Sequence, residues 1–575
     1  WLVYNVIWGR QINESTVQNA EMDGFFMHLQ NKHKEALIKD EPGLHIYLSR
    51  DVDMILNDED DSTKEVIPDT PTDKHQSLYS EQFDSAFKEN HSTGKPSKIV
   101  TPFGKRTSKF VVKFSINKIP NAENGNTEHD HENPEDDIIK RVQPRKRCSL
   151  IVHGSGPKPG RFMYDRIEDK FNTLEKRIRK HANARHSWIF EEPMDPTRSI
   201  FAVGMIYCDG EGHLNEKSIF AEHSGGQRVC LDLHKSQFYL FPGQVVGIEG
   251  QNPSGHCLIA SKRIDSIPFT VTADEKLHPA KKVALGQEIL SADVPYTQKE
   301  ISKVLLPQAL FTTIDNLLFE PLTELLAYAT RFSFFSFNIF SQLGPFIDSE
   351  HPEIKKGTTD RNFDEIFGLE ILQRLQDHAE YMGSDSRVIL VPSIRDANHD
   401  LVFLQMTPIF DINLPNLKYK ITSLTNPGNF EANKVKVGCC TVDVIKQLSG
   451  EEISQNSADG APSGLISRLA SHILNQRRHV FFYALYPPVE IVPLDFLLAP
   501  EALDISSVPD ILIIPSDMKY FIKVLSLGGK IEGEEPVKSI CVNPGRLAKG
   551  EGGGTFIELN YQGSPEMMNA SIIGI

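Results

Sequence analysis

Pro509-Asp510-Ile511-Leu512-Ile513-Ile514-Pro515-Ser516-Asp517 sets four consecutive aliphatic residues between two prolines and then empties into a polar loop. A short apolar run of β-branched character, bounded by proline, reads as a strand. The same texture recurs at 388–391, 435–439 and 539–542, each run followed by a loop, and helical patterns alternate with these runs beyond about residue 282. Such alternation predicts a layered α/β domain whose functional groups sit on the loops after the strand ends.

Upstream the texture differs. Between 199 and 265, five short apolar runs (200–206, 218–221, 228–233, 244–250 and 256–262) are separated by Gly, Asn and Pro turns, which predicts a small barrel with an OB-fold as the leading candidate. Met163, Ile167, Phe171, Leu174 and Ile178 recur at intervals of three and four and predict an amphipathic helix. Residues 109–116 alternate as a strand does, and 121–147 is a polar insertion. A short helical element is expected within 13–38, and the acidic, polar stretch from about 50 to 100 reads as a disordered tether. The expected division is 1–45 as the edge of an N-terminal helical domain, 46–100 as linker, 101–280 as the barrel domain with its insertion, and 281–575 as the layered domain.

Composition narrows the function classes. With 575 residues and 39 % hydrophobic content the chain can bury more than one core. No run of about 20 apolar residues is present to span a bilayer, and the beginning lacks a signal-peptide pattern, so a soluble intracellular protein with no membrane partner is expected. Because the first residue is Trp1, the chain is read as starting inside a longer reading frame or at a mispredicted exon. Seven scattered cysteines without a C-x-x-C pair suggest neither zinc nor a disulfide framework. A formal charge of −16 opposes tight self-sufficient binding to a phosphate backbone, leaving DNA contact weak or indirect and favouring protein partners.

The chemistry, if any, belongs on the strand-end loops. These are Gly344-Pro345-Phe346-Ile347-Asp348, Val391-Pro392-Ser393-Ile394-Arg395-Asp396, Ile514-Pro515-Ser516-Asp517 and Val542-Asn543-Pro544-Gly545-Arg546. In this order they resemble the loops of calcineurin-like metallophosphoesterases, a family whose two metals need converging carboxylates and imidazoles. In that comparison Pro345 stands where a bridging Asp belongs and offers no ligand atom. Pro392-Ser393 replaces a G-N-H run, Asn543-Pro544-Gly545-Arg546 lies where G-H-x-H is expected, and 283–288 lacks D-x-H. Asp348 alone matches a ligand position. The resemblance therefore implies a multidomain α+β protein, an OB-fold barrel followed by a catalytically inactive phosphoesterase-like α/β sandwich, with no catalytic residue, metal or cofactor.

That pairing is similar to the B subunits of replicative DNA polymerases. Phe241-Pro242-Gly243-Gln244-Val245-Val246, Tyr486-Pro487-Pro488, the 391–396 and 509–516 stretches and Val542-Asn543-Pro544-Gly545-Arg546-Leu547 narrow it to the B-subunit family of DNA polymerase alpha, from about residue 100 to 575. The resemblance implies a nuclear scaffold that holds the C-terminal region of the catalytic subunit of DNA polymerase alpha and reaches the primase subunits through the complex. Two other readings stay open: a B subunit of another replicative polymerase, and an active metal-dependent phosphodiesterase or nuclease. Two segments depart from the family's pattern. Residues 295–312 read as an insertion, and 331–341 carries Arg331-Phe332-Ser333-Phe334-Phe335-Ser336-Phe337 where a buried aliphatic strand is expected.

Several other motifs read more simply. Asp348, Asp396, His399 and Asp400 could be a remnant metal cluster or ordinary loop caps, and His129-Asp130-His131-Glu132 sits in the polar insertion. Gly154-Ser155-Gly156-Pro157 lacks P-loop spacing, and Gly552-Gly553-Gly554 reads as a tight connection into the last strands. Lys140, Arg141, Arg145, Lys146 and Arg147 form either a nuclear-import signal or a solvated loop. Thr70 and Thr101, each followed by Pro with a basic residue nearby, are candidate phosphorylation sites. The aromatics Tyr207, Phe220, Phe238, Tyr239 and Phe241 are expected in the barrel core or under the neighbouring domain rather than stacking on bases.

Overall fold

The computed structural model describes residues 45–46, 102–117 (except 107), 148–153, 164–189 (except 165), 200–208, 219–222, 228–233, 238–252, 257–264, 300–331, 339–382, 386–399, 421–455, 464–477, 502–527 (except 506) and 536–575. The helix expected in 13–38, the tether, and the 121–147 insertion lie outside the described residues. So do the segments 283–288, 332–338 and Tyr486-Pro487-Pro488.

Three strands precede the barrel: β1 (His45–Ile46), β2 (Val111–Ile116) and β3 (Leu150–His153). Helix α1 (Ile167–Ile189) follows. Of its expected apolar face, Leu174 and Ile178 are buried against the barrel residues Val203, Met205 and Val245, whereas Ile167 and Phe171 stay exposed. The barrel strands are β4 (Ile200–Cys208), β5 (Ile219–Glu222), β6 (Arg228–Asp232), β8 (Val245–Gln251) and β9 (Cys257–Ile264), closed in the order β4-β5-β6-β9-β8. All five predicted runs are therefore barrel strands. Between them, β7 (Phe238–Leu240) leaves the barrel and joins another sheet.

After the barrel come β10 (Glu300–Pro307), α2 (Glu320–Arg331) and β11 (Ile339–Leu343). The helices α3 (Pro352–Lys356), α4 (Phe363–Ile366) and α5 (Gln373–Met382) come next, α4 and α5 being joined by a π-helical turn at Phe367–Leu372. Then follow β12 (Arg387–Val391), β13 (Ile421–Ser423), β14 (Gly428–Ala432), β15 (Val435–Cys439), α6 (Val444–Glu451), β16 (Ile453–Gln455) and α7 (Leu465–Asn475). The chain ends through β17 (Ile511–Ile513), β18 (Phe521–Leu527), β19 (Val537–Asn543), β20 (Ala548–Lys549), β21 (Gly552–Gly553), β22 (Thr555–Gln562) and β23 (Ser564–Gly574).

Two mixed sheets result. One has the order β13-β12-β11-β10-β22-β23-β2 and the other β18-β19-β17-β15-β14-β3. Period-two alternation explains their stacking. Ile389 and Val391 of β12 meet Ile511 and Ile513 of β17 in a core between the sheets, while Val388 and Leu390 face the layer of α2 and α5. Leu512 and Ile514 point the other way, toward α6 and α7. The outcome is helix, sheet, sheet, helix, with apolar strands buried on both faces.

Three expectations are corrected. Residues 101–280 are not one barrel unit, because β2 pairs antiparallel with β23 and β3 with β14, so both belong to the large sheets. Residues 300–312 are no insertion in the fold: β10 lies between β11 and β22, and Ile301, Leu305, Ala309 and Phe311 are buried. The buried strand expected near 331–341 is present as β11 (Ile339–Leu343), buried along its whole length.

Candidate functional site

The loops after β11, β12, β15, β17 and β19 are joined to one another by side chains that the sequence places just past each strand end. Asp396 is the tie between the first two. Its carboxylate accepts from the backbone N–H groups of Phe346 and Ile347 (3.2 Å for the latter) and of Ser393 (2.7 Å). It is almost fully buried, and burial, opposed by those hydrogen bonds, pushes its carboxyl up to about 7. Asp348 and Asp396 face each other across an isolated antiparallel bridge, and Ser349 N–H donates to the Arg395 carbonyl at 2.8 Å. Gly344 is required by this closeness, since a Cβ there would lie 2.7 Å from an Asp396 carboxylate oxygen and 2.8 Å from Ser393 N.

Asp348 is held by a neighbour. The Arg395 guanidinium grips it with two hydrogen bonds, and Glu350 N–H adds a third at 3.1 Å. Ser393 Oγ accepts from Arg395 N–H at 3.3 Å. Pro345 follows a cis peptide bond and presents no polar side-chain atom to the cluster.

Asn543 does the same for the last loops. Its Oδ1 accepts from Ser516 N–H (3.1 Å) and Gly545 N–H (3.0 Å), while Nδ2 points its hydrogens at the Ser516, Met518 and Lys519 carbonyls. Arg546 pairs with Asp517, and Asp443 accepts from Asp517 N–H at 2.7 Å and caps α6 through Lys446 N–H. Thr441 donates to the Pro392 carbonyl at 3.0 Å and is held by Asn426.

The structure thus brings together the predicted Pro345, Asp348, Ser393, Arg395 and Asp396 in one cluster and Asn543 and Arg546 in another. Sequence reasoning missed Asn426, Thr441 and Asp443. Asp443 carried a legible signal, an Asp at the N-cap position immediately before α6, whose side chain accepts from Lys446 N–H three residues on; Asn426 and Thr441 carried none. Among the described residues, no group of three or more His, Cys, Asp or Glu is arranged to hold a metal ion. His351 is spent on structure: Nδ1 accepts from Glu353 N–H, and Nε2 lies 2.9 Å from the Thr313 carbonyl, which fixes it as the protonated nitrogen. Asp400, Thr70, Thr101 and the basic residues Lys140, Arg141, Arg145, Lys146 and Arg147 lie outside the described residues.

A third polar cluster joins barrel and sandwich. Glu452 is buried, with both carboxylate oxygens 3.0 Å from Arg468 Nε and one 2.8 Å from His472 Nε2. Burial works to raise its carboxyl, but the His472 and Arg468 hydrogen bonds outweigh it and hold the group below the usual range. The Arg468 guanidinium lies over the Tyr239 ring at 4.3 Å, and Phe241 meets His472 edge to face. Gln476 completes the junction: it accepts from Val245 N–H at 2.9 Å and returns a hydrogen bond to the Val245 carbonyl at 2.8 Å. Strand β16 pairs with β7 on one side and β1 on the other. Of the barrel aromatics, Phe238 and Phe241 are fully buried, Tyr239 is covered by Arg468, and Tyr207 lies beneath the Arg228 guanidinium at 4.3 Å.

Comparison with known proteins agrees with this architecture. The family model for the B subunits of DNA polymerases alpha and epsilon matches residues 306–523, and the model for the OB domain of the DNA polymerase alpha B subunit matches residues 164–266. Together they take in more than half of the chain. The chain is 30 % identical to the B subunit of DNA polymerase alpha from Mus musculus over 64 % of its own length and 56 % of that protein's. It is 28 % identical to that of Schizosaccharomyces pombe, covering 69 % of this chain and 67 % of the relative. With the Saccharomyces cerevisiae relative the identity is 25 %, over 69 % and 59 %. The chain spans little more than half the length of the mouse and rat relatives it matches. On these matches the chain belongs to the B-subunit family of DNA polymerase alpha.

Proposed function

We propose that this chain is a non-catalytic accessory subunit of the DNA polymerase alpha and primase complex, a scaffold that binds the C-terminal region of the catalytic subunit in the nucleus. The observation that carries the reading is the saturation of the strand-end loops. Asp348, Asp396 and Asn543 direct their polar atoms at neighbouring loops instead of at an open cavity. A hydrolase needs the reverse, open ligand atoms converging on a metal or a nucleophilic water. The four-layered sandwich supports descent from a calcineurin-like phosphoesterase that kept its fold and lost its catalyst. In this reading residues 1–45 are the edge of a further helical domain on the tether 46–100, Thr70 and Thr101 are phosphorylated, and the 140–147 basic cluster serves import.

The test is co-purification. Tagged chain expressed with the catalytic subunit's C-terminal region and the primase subunits should retain both after washing in moderate salt. Recovery without primase, together with a polymerase epsilon catalytic fragment, would move the assignment to that polymerase, which the shared alpha and epsilon scope of the matching family keeps as the second reading. Manganese-dependent cleavage of a chromogenic phosphodiester that is abolished by Asp348→Ala would overturn the non-catalytic assignment.

A further inference from the structure

Two thiols stand opposite each other on the outside of the barrel. Cys230 of β6 and Cys257 of β9 are register partners in that barrel's parallel pair of strands. Their neighbours fix the direction in which they point. Leu231 and Leu258, one residue on, are buried in the barrel core, so period two turns Cys230 and Cys257 to the same outer face, where each is half-buried. Adjacent strands run ~4.8 Å apart, inside the Cα separation of about 4.4–6.8 Å that a disulfide tolerates. The two sulfurs are close enough to share a hydrogen bond.

We infer that Cys230 and Cys257 form an oxidation site, a reversible disulfide that peroxides install across the β6–β9 seam of the barrel. The chemistry balances without any group from the protein beyond the two thiols. The thiolate of one cysteine attacks a peroxide oxygen, the O–O bond breaks, and a sulfenic acid and one water or alcohol result. The second thiolate attacks the sulfenic sulfur, the S–O bond breaks and water leaves. Two thiols have lost two electrons and two protons, and the peroxide has been reduced.

Four other cysteines are poor competitors. Cys148, Cys439, Cys440 and Cys541 are buried, and burial pushes the Cys148 thiol up to about 11 and those of Cys439 and Cys440 up to about 12, so their thiolates are scarce as well as shielded. Burial, then the Cys230 thiol, also raises the Cys257 thiol above its ordinary value, so the reaction should quicken as pH rises. The bond would close a loop through residues 231–256, which carries β7 and β8 and thus the barrel's contacts with β16 and Gln476.

The experiment treats the full chain with hydrogen peroxide at about pH 8.5, near the ordinary thiol pKa, then alkylates, digests with trypsin and maps the peptides. The expected product is peptide 229–235 joined to peptide 236–262, two hydrogens lighter than the sum, and restored by dithiothreitol. In Cys257→Ser, the same treatment should leave Cys230 as a sulfenic acid that dimedone traps. No oxidation of Cys230, a stable sulfenic or sulfinic acid in the unsubstituted protein, or a bond to any other cysteine overturns the proposal. The peptide map of the unsubstituted protein decides it even if the variant fails to fold.

Discussion

Arg395 holds Asp348 by two prongs, Nε 3.1 Å from Oδ1 and Nη2 2.6 Å from Oδ2. The carboxylate is 7 % exposed and the guanidinium side chain 34 %, so the two ends of the pair face different penalties when the other is removed. Arg395→Ala strands a nearly buried charge with one backbone N–H and should cost about 2–3 kcal/mol, whereas Asp348→Ala frees a cation that can turn to water and should cost about 1 kcal/mol. Urea unfolding of both variants measures the asymmetry, and equal costs would contradict it.

Asp396 and His378 should make stability depend on pH in opposite senses. With Asp396 raised to about 7, the folded chain binds its proton more tightly than the unfolded chain does, so this contribution is present near pH 4 and is lost as pH rises to 7, by up to ~1.4 kcal/mol per unit. Burial lowers His378 to about 4, so the unfolded chain protonates first and its contribution is lost as pH falls from about 6.5 to 4. The stability advantage of the unsubstituted protein over Asp396→Asn should therefore shrink with rising pH, and that over His378→Gln with falling pH. Denaturant titrations across pH 4–8 would show both slopes, and flat differences would contradict the assignment.

Glu452 is the acid on which the barrel junction depends. Glu452→Ala leaves Arg468 and His472 buried without their carboxylate and should cost about 3–5 kcal/mol. Gln476→Leu removes its two hydrogen bonds with Val245 N–H and C=O and should cost about 2–3 kcal/mol. Because both variants act at one seam, limited proteolysis should cut between barrel and sandwich sooner in each than in the parent. An unchanged cleavage pattern would mean that the two bodies are held elsewhere.

Gly553 and Gly554, just before β22, leave no room for a side chain. A Cβ on Gly554 would overlap the Arg546 carbonyl oxygen, and one on Gly553 the Ile575 carbonyl oxygen. Gly554→Ala should destabilise by about 2–4 kcal/mol through overpacking, against little change for Gly550→Asn, whose φ of +61° lies in open space. Thermal melts of the two variants compare them directly.

The sequence made legible the features that rest on local chemistry. The runs at 388–391 and 511–514 are strands because nothing else buries four aliphatic residues between turns, and the five barrel strands followed from turn spacing. The strand-end loops after β11, β12 and β19 were also legible, each opening on a proline or a polar residue just past an apolar run. Hidden from the sequence were the long-range pairings. Nothing near residue 111 signals that β2 completes a sheet beside β23, and the run after residue 300 was read as an insertion on the family's pattern, which does not reveal that β10 lies between β11 and β22. Asp396 was visible as a polar loop residue, but its three backbone donors come from two loops that only the fold brings together.

The pairing of β2 with β23 has a consequence for how the molecule is made. Residues near 111 wait on residues near 572, so a ribosome must deliver the chain through β23 before the seven-stranded sheet can be completed. The barrel needs only residues 200–264 and can close first, as a nucleus tethered between two unfinished sheets. In that interval β22 and β10 expose apolar faces that will later be covered, which is when a chaperone would matter most. Deleting β23 would therefore leave β2 without its sheet partner, some 450 residues upstream of the lesion.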